Sequence, residues 1–159
     1  MDSSDPRLNR RAYFLLLSFL LALFCCRVVG QLLVAFWGVP WLPPMEEWFS
    51  GVIPYPILLA CQVVIIALYG KVCMDLARGS GFFAEPRRVF GKYLTQFGCI
   101  YLAVMMARYA IRMSLYPAER WVGGCIPIFF HWILAAFLII LGLFHLASGE
   151  KRTRDQRTR

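Results

Sequence analysis

Four long apolar runs are the feature that most constrains how this chain can fold. They cover residues 12–37, 52–77, 86–115 and 125–147. Each reaches or exceeds the roughly 20 residues that an α-helix needs to cross a bilayer. Lipid offers the backbone no hydrogen-bond partners, so unbroken runs of this length span it as helices. The pattern predicts an all-α polytopic membrane protein, a four-helix transmembrane bundle.

Composition and length support a single membrane domain. Hydrophobic residues make up 60% of the 159 residues, against about 45 to 50% in soluble domains. Residues 12–147 are expected to form one transmembrane domain, which leaves only 1–11 and 148–159 outside it. The first run lacks a small-residue cleavage site and is too long for the apolar part of a signal peptide, so we expect it to remain as a helix.

Lysine and arginine residues predict the orientation in the membrane. Three lie within residues 1–11, five in and around the second connection and five in the tail, whereas the first and third connections contain Arg120 alone. Basic residues favour the cytoplasmic side, so both termini are expected there, in a plasma or inner membrane. The tail, 148–159, is predicted to be basic and disordered. Glu85 and Pro86 are predicted to start the third helix.

Polar side chains fall at one depth of the predicted bundle, in its outer half. Counting along each helix at 1.5 Å per residue brings together Arg27, Gln31, Gln62, Arg108, Arg112 and His131. An arginine within the hydrocarbon costs about 2.5 to 3.5 kcal/mol unless it is compensated. Glu46 and Glu47 in the first outer connection are candidate counter-charges, and an anionic ligand is the other. Tyr101 shares the helical face of Arg108, with Tyr109 one position away.

This polar cluster supports more than one hypothesis about function. In the leading one, it binds an anionic or lipid-like molecule, which Arg108 and Arg112 hold while His131 and Gln62 orient it. It is equally suited to docking a partner membrane subunit or a second copy of the chain. In a purely structural accessory subunit, by contrast, the same side chains would compensate one another and form a polar layer without a ligand.

The two histidines, His131 and His145, raise a different possibility. Their 14-residue spacing on one apolar helix resembles that on the haem-binding helices of the b-type cytochromes of respiratory complexes. The resemblance implies haem b and electron transfer. Because the chain has no other histidine, ligation requires a symmetric dimer, or Met105 or Met106 as the second axial ligand. Otherwise His131 belongs to the polar cluster, and His145 lies at the cytoplasmic interface, where its ring reaches water or headgroups.

Other chemistry has little support in the sequence. The six cysteines show no CxxC or metal-ligand spacing, and no nucleophile with an adjacent base can be assigned, so a non-enzymatic role is favoured. The bases of the second connection and the tail are expected to contact anionic lipids at the cytoplasmic face rather than nucleic acid.

Overall fold

A computed structural model describes residues 6–48, 53–117 and 126–157, with side chains given except at 6–9, 46 and 149–157. Within these ranges the protein is entirely helical, without strands. Four helices are long and α2 is a single short turn: α1 Pro6–Trp37, α2 Met45–Trp48, α3 Tyr55–Arg78, α4 Arg88–Leu115 and α5 Ile126–Arg157. Each long helix contains a segment long and apolar enough to cross a membrane, which confirms the prediction of four candidate spans.

Helix boundaries follow local stop and start signals. Pro54 precedes α3, whose last turn is closed by Gly79 in the left-handed conformation with φ of 70°. The Gly79 N–H donates to the Asp75 carbonyl at 2.9 Å, as expected for a glycine C-cap. The α4 N-cap is Arg87, so the helix begins slightly later than the predicted start at Glu85 and Pro86.

The last helix extends beyond its predicted end. Where the sequence predicts a disordered tail after residue 147, α5 continues to Arg157. The tail lacks proline and places Glu150 four residues before Arg154, and Lys151 four residues before Asp155. Opposite charges at this spacing stabilise a helix, so an already formed α5 can propagate through the tail.

The two central helices of the bundle are α1 and α5. α1 packs against both α3 and α5, while α4 packs extensively against α5, and no part of α3 comes close to α4 along its backbone. The buried core includes Leu17 of α1 and Phe137 of α5, both fully buried. The Tyr69 ring of α3 stacks on Phe137 with centroids 3.7 Å apart, which ties α3 to the central pair.

Contacts at one end of the bundle bring three parts of the chain together. A Cβ on Gly79 would lie 2.2 Å from the Arg10 guanidinium, so the start of α1 lies beside the end of α3. The Arg87 N–H donates to His145 Nδ1 at 3.3 Å, which joins the start of α4 to α5. We call this the basic end. The opposite end carries α2 with Trp48, and we call it the tryptophan end.

Small residues allow α4 and α5 to approach closely. A Cβ on Gly91 would lie 2.8 Å from the Gly142 carbonyl oxygen, and one on Gly98 would lie 2.7 Å from the Ile139 side chain. A Cβ on Gly142 would lie 2.8 Å from the Thr95 backbone nitrogen. Without Cβ atoms at these glycines the backbones come into direct contact, the usual basis of tight helix pairing in membranes.

Candidate functional site

Arg27 of α1 is the most constrained charged side chain at the tryptophan end. It is only 7% exposed. Nη2 donates to the Trp48 carbonyl at 2.8 Å, and Nη1 donates to Gln31 Oε1 at 3.3 Å. Its guanidinium also lies 5.2 Å from the centroid of the Phe130 ring, within cation–π range. Carbonyl, amide and aromatic groups therefore surround this cation.

The short helix α2 supplies the carbonyl that receives Arg27. Trp48 is 7% exposed, and its indole Nε1 donates to the Pro43 carbonyl at 2.8 Å. The six-membered part of the indole lies against α1 at Gly30, where a Cβ would come within 2.9 Å of the ring. Gly30 thus leaves room for Trp48, and the packed indole holds its own carbonyl toward Arg27.

A pair of glutamines links Arg27 to α3. Gln62 Nε2 donates to Gln31 Oε1 at 2.9 Å. Gln31 is fully buried and Gln62 is 3% exposed. Each amide nonetheless keeps one atom, Gln31 Nε2 and Gln62 Oε1, without a hydrogen-bond partner among the described residues. Such atoms are costly to bury, so this pair is the clearest sign of missing partners.

A cavity of about 290 Å³ adjoins this network. Four polar or charged residues of the predicted site line it, one from each long helix: Arg27, Gln62, Arg108 and His131. The rest of the lining includes Cys61 and the apolar residues Phe24, Ile65, Phe130 and Leu134. Arg108 and Cys61 are both exposed. These two exposed lining residues belong to α3 and α4, which do not pack against each other.

Two ring systems position His131 in this cavity. Its Nδ1 is hydrogen-bonded to the Tyr101 hydroxyl of α4, and the two rings meet edge to face with centroids 5.8 Å apart. His131 is half-buried. The second ring nitrogen has no described hydrogen-bond partner and remains available to a ligand. His131 thus lines the same cavity as Arg27, Gln62 and Arg108, with Tyr101 as its direct hydrogen-bond partner.

No carboxylate neutralises the two cavity arginines among the described side chains. The ion pairs among the described side chains are Lys71 with Asp75 and Arg87 with Glu85, and both lie at the basic end. Glu47 is half-buried, and its Oε2 has no hydrogen-bond partner among the described residues. It forms an ion pair with neither Arg27 nor Arg108. Its predicted role as a counter-charge is therefore not seen. The side chain of Glu46 lies outside the described residues.

Two other predicted residues are placed away from the cavity. The Arg112 guanidinium lies 5.5 Å from the centroid of the Tyr116 ring near the end of α4. The ring of Tyr109 packs against Trp132 at 5.3 Å, in an aromatic group that also includes Phe129. The prediction that Arg112 shares an anion with Arg108 has no support in this arrangement, since Arg112 is not part of the cavity lining.

His145 is in a different environment from the one predicted. It is fully buried, with its ring between Phe90 and Phe144 at centroid distances of 5.2 and 5.3 Å, so it reaches neither water nor headgroups. Nδ1 accepts from the Arg87 N–H. A haem shared with a second copy would need this ring on an outer face, and the enclosing phenylalanines prevent that. His145 instead anchors the start of α4.

Asp75 is a buried acid that the sequence analysis did not single out. It is 2% exposed, forms a salt bridge with Lys71, and its Oδ2 accepts from the Phe83 N–H at 3.3 Å. A Cβ on Gly81 would lie 2.6 Å from its carboxyl carbon. The signal was available, because a lone acid in the last turn of an apolar helix requires a nearby partner. Asp75 organises the connection between α3 and α4.

The basic end has a second, shallower cleft of about 340 Å³, lined by Arg10, Arg11, Phe14, Leu76 and Ala77. Two arginines above apolar side chains suit an interfacial position.

No protein-family model, curated protein or solved structure matches this chain.

Proposed function

We propose that this protein binds an anionic, lipid-like molecule in the cavity at its tryptophan end. The observation that carries the proposal is the pairing of two guanidinium groups, those of Arg27 and Arg108, around one apolar-walled cavity. No described carboxylate balances either charge. An anionic group of the ligand would supply the missing charge, and guanidinium is well suited to phosphate and carboxylate.

The walls of the cavity indicate why the ligand would be amphiphilic. Phe24, Ile65 and Leu134 are apolar residues of the lining, and they would contact a hydrocarbon chain. An opening between α3 and α4 would face the expected membrane interior and allow a lipid to enter sideways. The positive-inside rule would place this end outside the cytoplasm, so the outer leaflet of a plasma or inner membrane would supply the ligand.

Binding, rather than catalysis, is the role we assign to this site. Arg108 would contact the anion, Arg27 would support it from the buried side, and the free ring nitrogen of His131 would orient it. Anionic lipids at the basic end would be a separate class of partner, held near the surface by Arg10 and Arg11.

The test is native mass spectrometry of the protein in mild detergent, titrated with phosphatidylglycerol. Arg108→Gln should weaken retention about tenfold, the loss of one charge-assisted hydrogen bond. Arg112→Gln removes the same charge one turn away, outside the cavity lining, and should leave retention within about twofold. Equal effects of the two substitutions, or no retained lipid in the unmodified protein, would refute the proposal.

Competition with glycerol phosphate, which has no acyl chains, distinguishes a lipid headgroup from a soluble phosphate as the bound anion. If the apolar walls contribute as proposed, the soluble compound should fail to displace the lipid at equal concentration. Displacement at equal concentration would mean that the site takes a soluble phosphate, and the lipid part of the proposal would be wrong.

A further inference from the structure

The arginine determines which way both glutamine amides point. A guanidinium can only donate hydrogen bonds, so the atom of Gln31 that faces Arg27 must be the oxygen, Oε1. The same oxygen faces Gln62 at 2.9 Å. Gln62 must therefore present its NH₂ group to Gln31, and its own oxygen must point elsewhere. The assignment follows from hydrogen-bond chemistry and does not depend on distinguishing nitrogen from oxygen by their positions.

The oxygen of Gln62 is consequently an acceptor that needs a donor. The residue is 3% exposed and lines the cavity, and Oε1 has no hydrogen-bond partner among the described residues. Arg27 also lines the cavity, and its buried donor Nε likewise has no hydrogen-bond partner among the described residues. Two residues of the cavity lining thus each keep a buried atom without a partner, an acceptor on Gln62 and a donor on Arg27. A bare anion could satisfy only the donor.

We infer that the ligand carries a hydroxyl group beside its anionic group, so that the hydroxyl donates to Gln62 Oε1 while the anion accepts from Arg27 and Arg108. A glycerol phosphodiester headgroup has this chemistry, with one negative charge and hydroxyl donors a few bonds from the phosphate. This inference rests on the proposed function, because it specifies the headgroup that the same cavity selects.

A matched pair of lipids tests the selection. Phosphatidylglycerol and phosphatidylpropanol with identical acyl chains have the same charge and nearly the same headgroup size, but only the first has hydroxyl donors. Competition between them, followed by native mass spectrometry, should show phosphatidylglycerol retained about tenfold better, the effect of pairing one buried acceptor. Near-equal retention in the unmodified protein would overturn the inference, whatever the variants show.

Two neighbouring substitutions assign the preference to Gln62. Gln62→Met keeps the length of the side chain but removes the acceptor, so the ratio of the two lipids should fall to near one. Val63→Ala changes a nearby residue of α3 that is exposed and does not line the cavity, so it should keep the ratio of the unmodified protein. A ratio measured within one variant is insensitive to a general loss of affinity. If Gln62→Met still preferred phosphatidylglycerol, the acceptor of the ligand hydroxyl would be a group other than Gln62, and the inference would be refuted.

The outcomes also separate this inference from the proposed function. Retention of both lipids without preference, with Arg108→Gln still weakening both, would leave the anion site standing and remove the hydroxyl requirement. Retention of neither lipid would refute both proposals together.

Discussion

Replacing Gly142 by alanine tests the close contact between α4 and α5. In α5 the added Cβ would lie 2.2 Å from Thr95 Oγ1, 2.8 Å from Thr95 N and 2.9 Å from the Gly91 carbonyl oxygen. The hydroxyl can rotate away, but the other two atoms belong to the backbone of α4. Ordinary contact begins near 3.4 Å, so the two helices must separate locally by about 0.5 Å.

The expected cost follows from two opposing effects. Overpacking of this kind destabilises by about 1 to 3 kcal/mol, and backbone clashes favour the upper part of that range. Alanine also favours a helix over glycine by about 0.5 to 1 kcal/mol. We expect a net loss of about 1 to 2 kcal/mol in the free energy of unfolding. Among the long helices, the backbone of α4 packs only against α5, so this cost falls on the one helix pair that holds α4.

Gly70→Ala is the matched control. Gly70 also lies within a membrane-spanning helix, but a Cβ there would meet no atom within 4 Å. Alanine should therefore be neutral or stabilising at this position, and the difference between the two variants isolates the packing cost at about 2 to 3 kcal/mol. Reversible unfolding in mixed micelles measures both. Equal stability of the two variants would refute the close approach of α4 and α5.

Three further predictions concern the packing around the site and at the basic end. Phe137→Ala should lower the free energy of unfolding by about 3 kcal/mol, because the fully buried ring stacks on Tyr69; a loss below about 1 kcal/mol would contradict this packing. Gly30→Leu should displace the Trp48 indole, seen as red-shifted tryptophan emission, whereas an unchanged spectrum would argue against the contact at 2.9 Å. Asp75→Asn should lower the free energy of unfolding through loss of the Lys71 salt bridge, measured by the same micelle unfolding, and a neutral effect would count against its structural role.

Much of the polar cluster was predictable from depth alone. A helix rises 1.5 Å per residue, so position in the sequence places Arg27, Gln62, Arg108 and His131 at one level, and all four line the cavity. Arg112 lies one turn from Arg108 but does not line the cavity, a difference that depth alone does not predict.

The partners of these residues could not be predicted in the same way. The charge balance predicts glutamates as partners of Arg27, whereas its partners among the described side chains and backbone are a carbonyl, an amide and an aromatic ring. Whether a carbonyl is free depends on where a helix such as α2 ends and how it docks. The burial of His145 likewise depends on Phe90 of another helix. The hydropathy pattern along the sequence does not show which helices pack together, so it could not predict this contact.

The amino-acid sequence by itself determined the helical class and the four candidate spans, because each follows from the energetics of one segment in lipid. It also determined which residues are chemically unusual there. The tertiary structure decided which helices touch. The α4 and α5 glycines permit close packing only because the backbone of the other helix lies against them. The tertiary structure also decided that residues of four helices line one cavity, among them Gln62, whose buried oxygen has no described partner. Contacts between segments depend on rotation and crossing geometry, which the linear pattern of apolar residues leaves open.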